Sequence, residues 1–281
     1  MIPAEFDYEV ASSVDKAIEL LGSSDDAKLL AGGHSLIPLM RLRLARPTLL
    51  VDVGRLSDLS YIREDGDTIA IGALTRHHDV QHSDALKKSC GILAHTAGLV
   101  GDPQVRHRGT IGGSVAHGDP ASDLPTVLLA LDAEFVSKGP DGEKTTPASG
   151  FFTGLFETAL GPRDVLTEIR VPKLGSSSGW SYQKFNRRAQ DWAIVGVAAV
   201  LDKQNGSVGS ARIGLTNMAL TPMRASAAEQ ALAGAAPDSL GGADQAAEGT
   251  SPPSDTNASA EFRQHLARVL TRRAVEEALA R

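Results

Sequence analysis

The chain of 281 residues is 42% hydrophobic and 22% charged, ordinary proportions for a folded protein of about two domains with ample material for apolar cores. With 28 basic against 34 acidic side chains, a formal charge of −6 and only 4% aromatic residues, it lacks both the basic footprint and the stacking rings of a nucleic-acid binder. The single cysteine, Cys90, excludes an internal disulfide, a cysteine-rich zinc site and an iron–sulfur cluster held by this chain alone.

The opening residues 1–7 have neither a basic n-region nor an apolar h-region, and no apolar stretch approaches the roughly 20 residues that a bilayer demands. The sequence therefore predicts a cytoplasmic protein of mixed α and β character. Val14, Ala17, Ile18, Leu20 and Leu21 recur at helical spacing behind Ser12 and Ser13, either of which fits an N-cap. Residues 28–31 read as a short strand running into Gly32-Gly33-His34-Ser35. A helix over 36–44 follows, with Pro38 in its tolerant first turn, and Pro47 ends it before a buried strand at 49–53. Strand, glycine turn, helix, strand makes a compact βαβ-like unit.

From Leu59 the pattern predicts strands at 60–63 and 68–71 around Asp65-Gly66, then helices over 78–86 and 90–98. A glycine-, aspartate- and proline-rich stretch spans 101–120. An apolar run at 126–133 leads to strands at 134–138 and 166–171, the last ending at Pro172. The Ser/Gly-rich segment 174–179 is the best linker. Beyond it come strands at 181–185, 194–202 and 210–215, helices at 223–235 and 261–280, and a polar, mobile loop over 249–258 that holds Pro252-Pro253. The tail is thus a separate α+β lobe of sheet then helices.

Two glycine-rich turns carry the chemistry. In Ala31-Gly32-Gly33-His34-Ser35, glycine lets the backbone approach a ligand closely, and free N–H groups at a helix start form an anion cradle to which Ser35 adds a hydroxyl. Taken alone, the motif equally marks any tight turn; it is neither the Gly-x-Gly-x-x-Gly fingerprint nor a P-loop. The second turn, Thr110-Ile111-Gly112-Gly113-Ser114, continues to Gly118-Asp119-Pro120 and Asp123. Two such turns flanked by hydroxyls suit a ligand with an extended phosphate chain, with Asp123 placed for ribityl or ribose hydroxyls. Asp119 and Asp123 would serve equally as turn or helix caps.

No nucleophile constellation is present. His77, His78 and His82 read as a solvated turn rather than a metal cluster, Cys90 as a small buried hydrophobe, and Arg187 and Arg188 as a surface charge run near Asp191.

The residues 31–38, 110–113, 118–120 and Asp123 resemble the medium, FAD-binding chain of molybdenum hydroxylases (the xanthine dehydrogenase family), and within it the carbon monoxide dehydrogenase flavoproteins in particular. Residues 213–217 and the final helix share the resemblance, which spans essentially the whole chain. It implies an α+β protein: a vanillyl-alcohol-oxidase/PCMH-type FAD-binding domain of two α/β subdomains over 1–55 and 56–173, then a C-terminal lobe of antiparallel sheet and helices over 178–281. It further implies that Ala31, Gly32, Gly33, His34 and Ser35 cradle the FAD pyrophosphate from one side. Thr110, Ile111, Gly112, Gly113 and Ser114 would do so from the other. Asp123, Leu166 and Lys184 match FAD-contacting positions, Val100 abuts the cofactor, and Trp192 lies beside the isoalloxazine ring. The chain departs from the pattern at Trp192, where carbon monoxide dehydrogenases carry tyrosine, and at Ser114, which replaces a common asparagine. Those departures bear on the substrate rather than on flavin binding.

By the same resemblance the partners are a small subunit with two [2Fe–2S] clusters and a large molybdopterin subunit, in a dimer of heterotrimers. The lone cysteine agrees, because the clusters must then sit on another polypeptide. The role implied is to pass electrons through FAD to quinone, NAD⁺ or O₂. A self-contained flavin oxidase or reductase and a non-catalytic nucleotide-binding module are the alternatives. The scarcity of acid/base groups beyond Lys184 and the histidines favours the electron-transfer subunit.

Overall fold

Three main β-sheets, each with its own helices, and one small two-stranded sheet organise the 281 residues in a computed structural model that describes the whole chain. The first unit runs β1 (Asp7–Val10), α1 (Val14–Leu21), β2 (Lys28–Leu30), α2 (Leu36–Arg41) and β3 (Leu49–Asp52). Its strands are all parallel in the order β1-β3-β2. Ser13 caps α1 by accepting the Lys16 amide at 3.0 Å, and the helix buries Ala17, Ile18 and Leu21 in one cluster with Val51. The glycine turn leaves β2 at the C-terminal edge of this small sheet. The second helix stops at Arg41, three residues short of expectation.

The second unit comprises β4 (Ile62–Asp65), β5 (Thr68–Gly72), α3 (His77–His82), α4 (Asp84–Ser89), α5 (Gly91–Ala97), α6 (Pro103–Arg108), α7 (Ile111–His117), α8 (Asp123–Ala130), β6 (Glu134–Gly139), β7 (Gly142–Pro147), β8 (Phe152–Gly154), β9 (Glu157–Thr158) and β10 (Val165–Pro172). Five of these strands form the sheet β4-β5-β10-β6-β7, with each neighbouring pair antiparallel. The single helix expected over 78–86 is two. Ser83 takes extended backbone at ψ 118° and uses its hydroxyl to cap Leu86, at 3.3 Å, so α4 restarts in a new direction. Cys90 sits between α4 and α5 with no exposed surface, and burial pushes its thiol up to about 12.

The stretch 101–120 is helical where its glycines and proline suggested turns. Asp102 caps α6 through the Val105 amide at 2.9 Å with Pro103 at the first position, and Thr110 caps α7 through the Gly113 amide at 3.1 Å. The second glycine pair is therefore the first turn of a helix. Left-handed Gly118, at φ 64°, ends it.

The third unit holds β11 (Ser178–Phe185), β12 (Val195–Gln204), β13 (Ser207–Thr216), β14 (Met223–Arg224), α9 (Ser226–Leu232) and α10 (Ala260–Ala280). Its sheet is antiparallel in the order β11-β12-β13-β14. The helix expected over 223–235 begins as the short edge strand β14, and a 3-10 segment at Gly241–Ala247 had no sequence signal. Helix α8, buried along its whole length, packs against β13 so closely that a Cβ on Gly214 would meet the Thr126 carbonyl oxygen at 2.6 Å. No helix is long and apolar enough to cross a membrane.

Candidate cofactor site

A cavity of about 1040 Å³ lies where the three units meet, ample for a ligand larger than most small molecules. Ala31–Ser35 form one wall. Gly33 is left-handed at φ 77°, and the main-chain N–H groups of Gly32, Gly33, His34 and Ser35 donate to no protein acceptor. Four successive donors without a protein acceptor beside a cavity make an anion-binding surface. Gly32 is fixed sterically as well: a Cβ there would fall inside contact distance of the Arg108 carbonyl oxygen and 2.9 Å from Gly109 Cα. The first glycine loop thus lies directly against the chain that leads into α7.

The second glycine pair works differently from the first. The Ile111 and Gly112 amides donate to the carbonyls of Thr75 and Ala73 at 3.0 and 2.9 Å. The Gly113 amide goes to Thr110 Oγ1 at 3.1 Å, and the Ser114 amide to the Thr110 carbonyl at 3.1 Å. These donors are consumed within the protein, so the expected mirror-image amide cradle is not formed. Ile111 differs from its neighbours: its side chain has no exposed surface, belongs to the apolar core and is absent from the cavity lining. Thr110, Gly112, Gly113 and Ser114 do line the cavity, and Gly112 is needed because α7 rides on Ala73, whose Cβ would lie 2.5 Å from an added methyl.

His77, read from sequence as part of a solvated turn, is instead buried in the cavity wall at 3% exposure. Burial, with His34, Arg106 and Arg76 nearby, holds its pKa down to about 4, so the ring is neutral. Its Nε2 lies 3.3 Å from Ser114 Oγ, while its Nδ1 has no partner at all. Gly109 makes room for the ring; a Cβ there would stand 2.7 Å from it. The burial comes from α6 and α7 closing over α3, which no local pattern announces. His78, by contrast, stacks on His107 at 4.0 Å.

Asp123 and Lys184 close the far side. Their side chains are only 6% and 5% exposed and meet in an ion pair at 2.7 Å. Tyr182 donates to the other carboxylate oxygen at 2.7 Å, and Lys184 also donates to the Leu99 carbonyl at 3.1 Å. Burial pushes the Asp123 carboxyl up, opposed by the Lys184 ammonium and the Tyr182 hydroxyl. Tyr182 also lies 3.3 Å from Thr216, which donates to Thr126 at 2.8 Å. The network joins α8 to β11 and β13, so Asp123 is a seam between lobes as well as a cavity residue. An ammonium has three donors, and two are used here, which leaves one for a ligand. Val100 and Leu166 supply apolar wall, and Trp192, 73% exposed, stands at the rim.

Comparison with known proteins decides the family. Residues 4–174 match the FAD binding domain in molybdopterin dehydrogenase, and residues 180–278 the CO dehydrogenase flavoprotein C-terminal domain. This chain belongs to the FAD-binding medium subunits of molybdenum hydroxylases. It is 43% identical to the carbon monoxide dehydrogenase medium chain of Hydrogenophaga pseudoflava, over 100% of this chain and 99% of that one. It is 40% identical to the 6-hydroxypseudooxynicotine dehydrogenase complex subunit alpha of Paenarthrobacter nicotinovorans, over 100% and 97%. A solved structure of carbon monoxide dehydrogenase from Hydrogenophaga pseudoflava superposes with a TM-score of 0.96 at 44% identity, over 100% of this chain and 99% of that chain.

The residues of this medium chain fit the family's cofactor. Four successive amides without a protein acceptor match a diphosphate, and His77 Nδ1 is an orphaned buried atom in the cavity wall.

Proposed function

We propose that this chain holds FAD in the central cavity and serves as the electron-transfer subunit of a molybdenum hydroxylase. It would work in the cytoplasm between the [2Fe–2S] clusters of a small partner and an external acceptor such as quinone, NAD⁺ or O₂. The observation that carries the reading is the run of unused amides at Gly32–Ser35 facing a cavity of the right size. Bound FAD supplies the ability to take up electrons singly and release them as a pair.

The chain's own residues supply placement and surroundings. The Gly32–Ser35 amides and the hydroxyls of Ser35, Thr110 and Ser114 receive the diphosphate, with neutral His77 behind Ser114. Exposed Gly113 gives α7 a surface without a side chain for the same group. Asp123, held by Tyr182, accepts from the sugar-like hydroxyls, and Lys184 offers its remaining donor. Val100 and Leu166 keep water from one side, and Trp192 faces the ring at the rim. Residues 1–55, 56–173 and 178–281 act as three units around this one site. The family relation supports a reading in which substrate oxidation belongs to a large molybdopterin partner within a dimer of heterotrimers. The related chains named above carry carbon monoxide in one name and 6-hydroxypseudooxynicotine in the other, so the reading extends to the class of complex.

The test is flavin retention and subunit capture. Purified chain carries about one flavin, and Gly33→Val, which is strained at φ 77° and crowds Ile37 so that the loop must shift, loses the visible absorbance. Unchanged absorbance in Gly33→Val, or substrate turnover by the isolated chain, would overturn the proposal.

A further inference from the structure

We propose that Arg263, which lies outside the cavity, is the positioning residue that fixes the Trp192 loop at the cavity rim; the inference rests on the cofactor site described above. Arg263 stands in the first turn of α10, yet it is only 1% exposed, the largest side chain so deeply buried in the chain. A buried guanidinium with a partly unsatisfied fork is an expensive way to fill space, and Nε has no partner. Its other two nitrogens reach outward: one donates to the Ile194 carbonyl at 2.5 Å, the other pairs with Asp255 at 2.8 Å.

Ile194 ends the connection between β11 and β12, and the Ile194 amide closes that connection on the Phe185 carbonyl at 2.8 Å. The Ile194 carbonyl is also taken by Asn217 Nδ2, at 3.3 Å, which reaches the neighbouring Ala193 carbonyl at 3.0 Å. Asn217 is left-handed at φ 62°, and its amide donates to the Pro120 carbonyl of the FAD-binding unit at 2.8 Å. Trp192 is the next residue back along the chain. With 73% of its surface exposed, its indole is not fixed by packing, so its direction follows from the anchored peptides behind it. Asp255 is itself held ready: its other oxygen accepts the Asn257 and Ala258 amides at 2.8 and 3.1 Å. The polar loop over 249–258 is therefore a braced second layer behind the Trp192 loop, where the sequence suggested a mobile segment. Arg187, on the opposite arm, reaches the same layer at Asn257.

The chain has two tryptophans, so Trp180→Phe leaves Trp192 as the sole indole reporter in the full-length protein. In that background Arg263→Met, Arg263→Lys, Asp255→Asn and Asn217→Gly are compared for flavin content, quenching of Trp192 emission by bound flavin, and Trp192 anisotropy with and without flavin. The expected result is unchanged flavin content with quenching reduced to about half in Asp255→Asn and further in Arg263→Met, partial rescue in Arg263→Lys, and a matching fall in nanosecond anisotropy. Wild-type quenching and anisotropy in variants with a lowered unfolding midpoint would overturn the proposal, because Arg263 would then be only a structural clamp. If Arg263→Met does not fold, Asp255→Asn and Asn217→Gly decide the matter. A parent protein without flavin would sink the cofactor reading instead, and anisotropy of the flavin-free chain would still decide this one.

Discussion

Replacing Lys184 by methionine removes the ammonium from a pair buried to 5% and 6% exposure while keeping the length of the side chain. Asp123 is left with the Tyr182 hydroxyl on one oxygen and nothing on the other, and the Leu99 carbonyl loses its donor at the same time. An uncompensated buried charge of this kind costs about 3–5 kcal/mol. For a chain of this size that corresponds to a fall in the flavin-free unfolding midpoint of roughly 6–20 °C. Because the network spans α8, β11 and β13, the loss falls on the joint between lobes. The double variant Lys184→Met/Asp123→Asn removes both charges and keeps an acceptor for Tyr182, so it should recover at least half of the loss. Thermal and urea unfolding of the four proteins of the cycle measure the coupling directly. A single-variant cost below about 1 kcal/mol, or a double variant equal to the sum of the singles, would refute the reasoning, since surface-like pairs behave in that way.

Gly32→Ala forces a methyl against the Arg108–Gly109 backbone and should cost about 1–3 kcal/mol, with flavin lost in proportion as the two loops part; visible absorbance per chain reads it. His77 titrates near 4 when folded but near 6.5 when unfolded, so the unfolded chain takes up the proton first and stability falls as pH drops through that window. The contribution lost is about 3 kcal/mol, and His77→Phe should show a shallower decline in urea unfolding between about pH 7 and pH 4. Equal slopes in the two proteins would remove the buried neutral imidazole from the account. Ser114→Ala deletes the hydroxyl beside His77 and should weaken flavin binding about fivefold, measured by fluorescence titration, for one lost hydrogen bond.

The first glycine loop was legible because its chemistry is local: Gly33 must be left-handed, and no ordinary side chain replaces it without strain. The second was misread for the same reason. Glycine argues against helix by propensity, and only the contact of Gly112 with Ala73, 39 positions away in the chain, explains why glycine begins α7. The consequence reached the chemistry, since a helical turn with its amides already bonded offers hydroxyls and a bare surface rather than free N–H groups. His77 looked solvated beside His78 because burial is decided by α6 and α7, not by its neighbours in sequence. Lys184 and Asp123 were each visible as single residues matching a known pattern, but their pairing across 61 positions was not. Arg263 lies in a helix rich in charge, where nothing in the spacing separates one inward guanidinium from its solvated neighbours. The sheets themselves were clear wherever β-branched runs met Asp-Gly or Asn-Gly corners.

The sealed position of Cys90 has a practical side. With the only native thiol shut inside and driven to about 12, maleimide chemistry finds no target on the wild-type surface. Cysteines installed at exposed Leu44 and Leu220 would therefore take spin labels at chosen addresses, one on the first unit and one on the last. Pulsed dipolar spectroscopy on that pair would report the spacing of the first and last units without signal from a labelled native thiol.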